Sequence, residues 1–276
     1  MRNPLAIEAR AEADRLNVDF LVPDTIMLEI GRAGRWPQDW VNDFRDWFDI
    51  QDRQWMSWGI GELLREERES GQRAATVIDQ AMTDNHRQLV LEVSQDNLQR
   101  LQEIGPRFQE QAASLSGPGG ALHANENFQL MRQLADVWWD LVDEPARVQL
   151  FEGLNLDRDA PLDNIGRAAL SPQLDRILIE AMTNPNTGYA RQAAEQLVEN
   201  PTFTRFYYGA QLAFALFLRA QPRRLGEGDN ADRLLNQLLD LNYASYSLCC
   251  RALQTNDRLL GRIESGLRLA AEERWV

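Results

Sequence analysis

Apolar positions recur at helical spacing along most of this chain, and the period turns strand-like only near its two ends. Residues 4–16 carry alanine, leucine and glutamate at that spacing and stop near Asn17, which predicts a helix. Val18-Asp19-Phe20-Leu21-Val22 is short, β-rich and halted by Pro23, which predicts a strand over 18–22. Asp24 and Thr25 can cap the helix that follows, beginning Ile26-Met27-Leu28-Glu29-Ile30. Amphipathic helices are then expected at 39–49, 53–70, 73–83, 85–112, 124–143, 172–183, 187–199 and 202–220. Glycine, proline and asparagine clusters at 116–120, 184–188 and 222–230 break the series, and no repeat of 20–50 residues runs through it. A helix over 231–250 bears the stripe Leu234, Leu235, Leu238, Leu239, Tyr243 and Tyr246. Ala252-Leu253-Gln254-Thr255 predicts a short buried strand, 258–273 a last helix, and Arg274-Trp275-Val276 the start of another strand. Strands at both ends with helices between predict a discontinuous α/β core, 1–35 with 225–276, around an all-α insertion over 36–224.

The 276 residues are 44% hydrophobic and 26% charged, enough to bury a core, which excludes collagen-like and wholly disordered chains. The longest apolar stretch, Phe206 to Leu218, is too short for a membrane span, and Met1 to Arg10 lacks the apolar core of a signal peptide. A cytoplasmic protein is expected. Acidic residues number 42 against 29 basic ones, a net charge of −13, and every basic residue is arginine. An acidic surface disfavours non-specific affinity for nucleic acid. Cys249 and Cys250 are adjacent, hence poor disulfide partners, and a reduced chain is the simple reading. Two histidines in unrelated contexts, His86 and His123, speak against a histidine–cysteine zinc site.

Several conspicuous clusters read as architecture. Trp36, Trp40, Trp47, Trp55, Trp58, Trp138 and Trp139 suit packing between helices better than base stacking, given their acidic neighbours. Glu62 to Glu69 reads as a solvated helix face with i,i+4 pairs. Arg219, Arg223 and Arg224 form the compact basic group that could receive a phosphate, or an ordinary surface loop.

The fragments Phe20–Gly31 and Asp240–Asp257 together resemble the PIN-like nuclease family, in which a strand ending in proline leads to a helix with an acid. Here these are Val22-Pro23 and Glu29. A later helix of that family opens on an aspartate and is followed by a strand ending Thr-Asn-Asp, matched by Asp240 and Thr255-Asn256-Asp257. The resemblance covers residues 1–35 and 228–276. It implies a small, mainly parallel sheet of PIN-like type and a metal site for Mg²⁺ or Mn²⁺ built on Glu29, Asp240 and Asp257, with Asp24 as a stand-in ligand. Carboxylates suit such hard cations, which activate water and neutralise the scissile phosphate. Asn256 and the arginines would bind substrate. The family's opening strand and its aspartate would lie before Met1, and Leu260 stands where a further acid is usual.

The resemblance thus implies a metal-dependent ribonuclease of the toxin–antitoxin or RNA-processing kind, impaired by the missing aspartate, with RNA and an antitoxin or second copy as partners. The alternatives are a non-catalytic, degenerate PIN-like scaffold or helical protein-interaction module, whose acidic insertion binds a protein partner, and an all-α binding module with no nuclease ancestry. Motifs for nucleotide cofactors, haem or a Ser/His/Asp hydrolase are absent.

Overall fold

The computed structural model describes residues 4–23, 51–94, 121–141, 143–156, 164–185, 187–220, 240–250, 253 and 257–275. They are mostly helical with a small parallel sheet. The chain divides into two compact units, Met1–Gly59 with Thr76–Leu122, and Ile60–Ala75 with His123–Val276. The two chain ends therefore fall in different units.

In the first unit, α1 (Pro4–Leu16) ends where Asn17 takes a left-handed conformation, φ 50°, and the Val18 amide donates back to the Ala13 carbonyl. β1 (Phe20–Val22) follows, at the predicted place. It pairs in parallel with β2 (Gln54–Met56), Phe20 opposite Gln54 and Val22 opposite Met56. Ser57 N–H extends the ladder to the Val22 carbonyl at 3.0 Å. The 252–255 segment expected beside β1 lies outside the described residues except Leu253, as does the helix at 39–49.

The helix expected over 53–70 is corrected: Gln51–Arg53 is a 3-10 turn, 54–56 is strand, and α2 (Ile60–Ser70) begins seven residues late. β2 amides are committed elsewhere, that of Met56 to the Thr83 hydroxyl at 2.9 Å, so a helical ladder cannot form there. Residues 73–79 are likewise not helical, because Trp58 N–H reaches Val77 and Asp79 N–H reaches Met56 across an irregular connection. Asp79 then caps α3 (Gln80–Ser94), its carboxylate accepting the Met82 amide at 2.9 Å.

The second unit holds α4 (Ala121–Leu141), α5 (Glu144–Leu154), α6 (Asn164–Ala169), α7 (Asp175–Met182), α8 (Arg191–Glu199), α9 (Phe203–Ala220), a helix at 240–247 and α10 (Arg258–Trp275). α9 is its centre. Every residue from Phe203 to Leu218 is buried, as an apolar stripe running all round a helix requires. Helices α2, α6, α7 and α8 pack on it, and Tyr246 of the 240–247 helix meets Phe203 at 4.9 Å between ring centroids. α5 and α6 fall outside the predicted helices. The signal for α5 was present in Asp143-Glu144-Pro145: Asp143 caps Ala146 at 3.0 Å, and Pro145 sits in the first turn. The expected strand at Arg274-Trp275 is corrected to the last turn of α10, where the two side chains bond the carbonyls of Leu170 and Glu199.

α6 is pressed between α9 and α10 and meets them with small residues. A Cβ on Gly166 would collide with the Ile263 carbonyl oxygen of α10, and one on Gly209 with the Ala169 carbonyl oxygen and the Arg205 guanidinium. Gly166→Ala is therefore expected to destabilise the chain by about 1–3 kcal/mol, since backbone rather than a movable side chain blocks the space. Urea unfolding measures it, and an unchanged midpoint would show that the helices are not this close.

Candidate functional site

Of the residues the sequence nominates, Glu29, Asp24, Asn256, Arg223 and Arg224 lie outside the described residues. Asp240, Asp257 and Arg219 are described, all in the second unit.

Asp257 is exposed at the start of α10, an 18-residue helix. Its Oδ1 accepts the Leu260 amide at 3.0 Å, and its carbonyl accepts Gly261 N–H at 3.0 Å. This is an N-cap: a side-chain oxygen satisfies a first-turn donor, with the negative charge at the positive end of the helix dipole. Leu260, where the resemblance would place a further acid, is buried in the core. Asp240 is half-exposed and opens the described part of the 240–247 helix, whose Leu241, Ala244, Ser245 and Tyr246 are buried. Arg268 of α10 fastens the far end of that helix by donating to the Ser247 carbonyl at 3.0 Å, while Glu264 holds the same guanidinium. The two acids thus stand on helices tied together at Ser247.

Arg219 ends α9 with its charge met by Asp136 at 3.1 Å and Asp140 at 3.9 Å, and it lies 5.3 Å from the centroid of the Trp139 ring. Arg147 covers the same ring at 5.3 Å, and Phe151 meets its edge. The half-buried Trp139 is therefore a packing residue, as expected from sequence, and Arg219 faces two carboxylates. Cys249 and Cys250 are unbridged; burial pushes the Cys249 thiol up to about 12 and raises that of Cys250. Neither is a ready nucleophile, since the thiolate is the reactive form.

Among the described residues, no three His, Cys, Asp or Glu side chains come together to hold a metal ion. The two described carboxylates, one of them engaged with a helix amide, do not by themselves make the oxygen cage that Mg²⁺ or Mn²⁺ requires.

Three charged constellations escaped the sequence reading. Glu67 lies in the run read as a solvated face, yet it is fully buried. Its Oε1 accepts the amides of Ala74 at 3.1 Å and Phe203 at 3.0 Å, and its Oε2 accepts that of Thr204 at 2.7 Å. Asp175 receives Arg205 at 3.0 Å and Arg274 at 2.7 Å. Arg205 also donates to the carbonyls of Ala169 and Ser171, and Arg274 to those of Leu170 and Val198. Burial lowers the Arg205 guanidinium to about 10, so it keeps its proton at neutral pH. In the first unit, Thr83, His86 and Arg87 project from α3 onto β2.

No protein-family model, curated protein or solved structure matches the chain. Among the described residues, no helix is long and apolar enough to cross a membrane.

Proposed function

We propose that this chain is a non-catalytic helical interaction module in which acids resembling those of a nuclease site serve the helices instead. The observation that carries this reading is the N-cap: the Asp257 carboxylate is engaged with the Leu260 amide at the head of α10. The pairing of Arg219 with Asp136 and Asp140 supports it, because a phosphate there would compete with two carboxylates. The partner is a protein with a basic face, the complement of a chain with net charge −13.

A second reading, the PIN-like metal-dependent ribonuclease, is favoured by one observation. β1, which runs into Pro23, belongs to a parallel pair, the arrangement that an α/β core of that type uses.

Two substitutions at one position separate the readings. Asparagine caps a helix about as well as aspartate but is a poor ligand for a hard cation, whereas alanine does neither. In the module, Asp257→Asn leaves the unfolding midpoint within error, Asp257→Ala costs about 1 kcal/mol, and the purified chain cleaves no RNA in Mn²⁺. Mn²⁺-dependent cleavage that Asp257→Asn abolishes would replace the module with the nuclease.

A further inference from the structure

β2 is gripped by one face of α3, residue by residue. Thr83, His86 and Arg87 stand at i, i+3 and i+4, the spacing that puts side chains on one side of a helix. The Thr83 hydroxyl accepts the Met56 amide at 2.9 Å while donating to the Asp79 carbonyl at 2.6 Å. His86 Nε2 lies 3.0 Å from Oε1 of Gln54, whose side chain is buried. Arg87 donates to the carbonyls of Asp52 at 3.1 Å and Gln54 at 3.2 Å, and its guanidinium covers the Trp55 ring at 4.5 Å. Among the described residues, Arg87 meets carbonyls and a ring but no carboxylate, and its charge stands beside His86.

We propose that His86 makes the grip of α3 on β2 a pH-operated latch, closed while the imidazole is neutral and loosened when it takes a proton. With Gln54 Oε1 as acceptor, neutral His86 must carry its proton on Nε2, and protonation then adds a charge at Nδ1. That charge enters a half-buried site next to the Arg87 cation. The other charged groups on the elements packed here give little relief. Asp84, on α3, is exposed and takes the Gln80 amide; Asp52, on the 3-10 turn, is exposed and faces Arg10 at 3.9 Å; Arg53 is turned to Asp14 and Asp19. β2 itself brings no charge. Burial first, and the Arg87 charge second, lower the His86 imidazole below its usual range. The sign follows: the folded form binds its proton less readily than the unfolded chain. The latch therefore contributes fully above about pH 6.5 and is lost as pH falls through the lower folded value.

The chain has only two histidines, His86 and His123, so ring-proton NMR gives two titrations, and His123→Asn identifies them. His86 is expected to titrate below 6.5. Between pH 7.5 and pH 5 the hydrogen-exchange protection of the Met56 amide, corrected for intrinsic rate, should fall severalfold while that of α9 holds. In His86→Gln, which keeps a donor for Gln54 without a titrating group, that fall should disappear. A His86 ring titrating at or above 6.5 would overturn the latch, and so would Met56 protection that is flat with pH or falls equally in His86→Gln. Should the variant not fold, the wild-type titration and exchange decide alone.

Discussion

Replacing Asp175 by alanine is expected to remove about 3 kcal/mol of stability, a large part of what holds a domain of this size. One carboxylate sits between two guanidiniums, Arg205 with no exposed side chain and Arg274 with 12% of its side chain exposed. Removing it leaves two cations facing each other, one of them fully desolvated, and an unpaired buried charge costs more than the pair contributes. Asp175 itself is 25% exposed, which places the loss at the lower end of the range for buried pairs. The site also gathers helix ends, since the arginines bond carbonyls at 169, 170, 171 and 198, where α6 and α8 stop. The loss should appear as a lower urea midpoint with an unchanged slope. Asp175→Ala combined with Arg205→Met is expected to be less damaging than the two single effects added, because the orphaned charge goes with its partner. A single-variant loss under about 1 kcal/mol would show that the arginines find other compensation.

Glu67→Ala is expected to be comparably costly, about 2–4 kcal/mol. Three amides converge on this buried carboxylate, two of them, Phe203 and Thr204, being the first turn of α9. That turn has no partners of its own within the helix, so Glu67 serves as an N-cap delivered from a different helix and places a negative charge at the dipole's positive end. Alanine orphans all three donors, those of Phe203 and Thr204 inside the core. Glu67→Gln keeps one oxygen and loses the charge, and should fall between the wild type and alanine. Hydrogen exchange at the start of α9 localises the effect; protection there that survives Glu67→Ala would deny the capping role.

The two residues differ in how they could have been found. Glu67 stands in Glu62–Glu69, a run rich in glutamate and arginine, and the pattern describes a solvated face correctly for its neighbours Glu66 and Glu69, which are exposed. Nothing local separates Glu67 from them. Its burial is fixed by α9 arriving 136 residues later with its bare first turn. Asp175 follows Ser171 and Pro172 and looks like a first-turn acid; its arginines lie 30 and 99 residues away.

What the sequence by itself determined is the set of elements whose cause is local. α1 keeps its predicted limits, β1 falls within 18–22, and α9 and α10 begin within a residue of expectation, because apolar period, Pro23, Asn17 and the Asp257 cap all act within a few residues of the backbone they direct. Tertiary structure decided the rest. Gln54–Met56 resembles the start of a helix until β1 and Thr83 claim its backbone, and Arg274-Trp275 resembles a strand until the carbonyls of Leu170, Val198 and Glu199 claim its side chains. The role of Asp257 divides along the same line. Its place after Thr255-Asn256 is legible as a motif, but whether a carboxylate holds a cation or a helix amide depends on what else the fold brings within reach. In this fold its Oδ1 takes the Leu260 amide, three residues on.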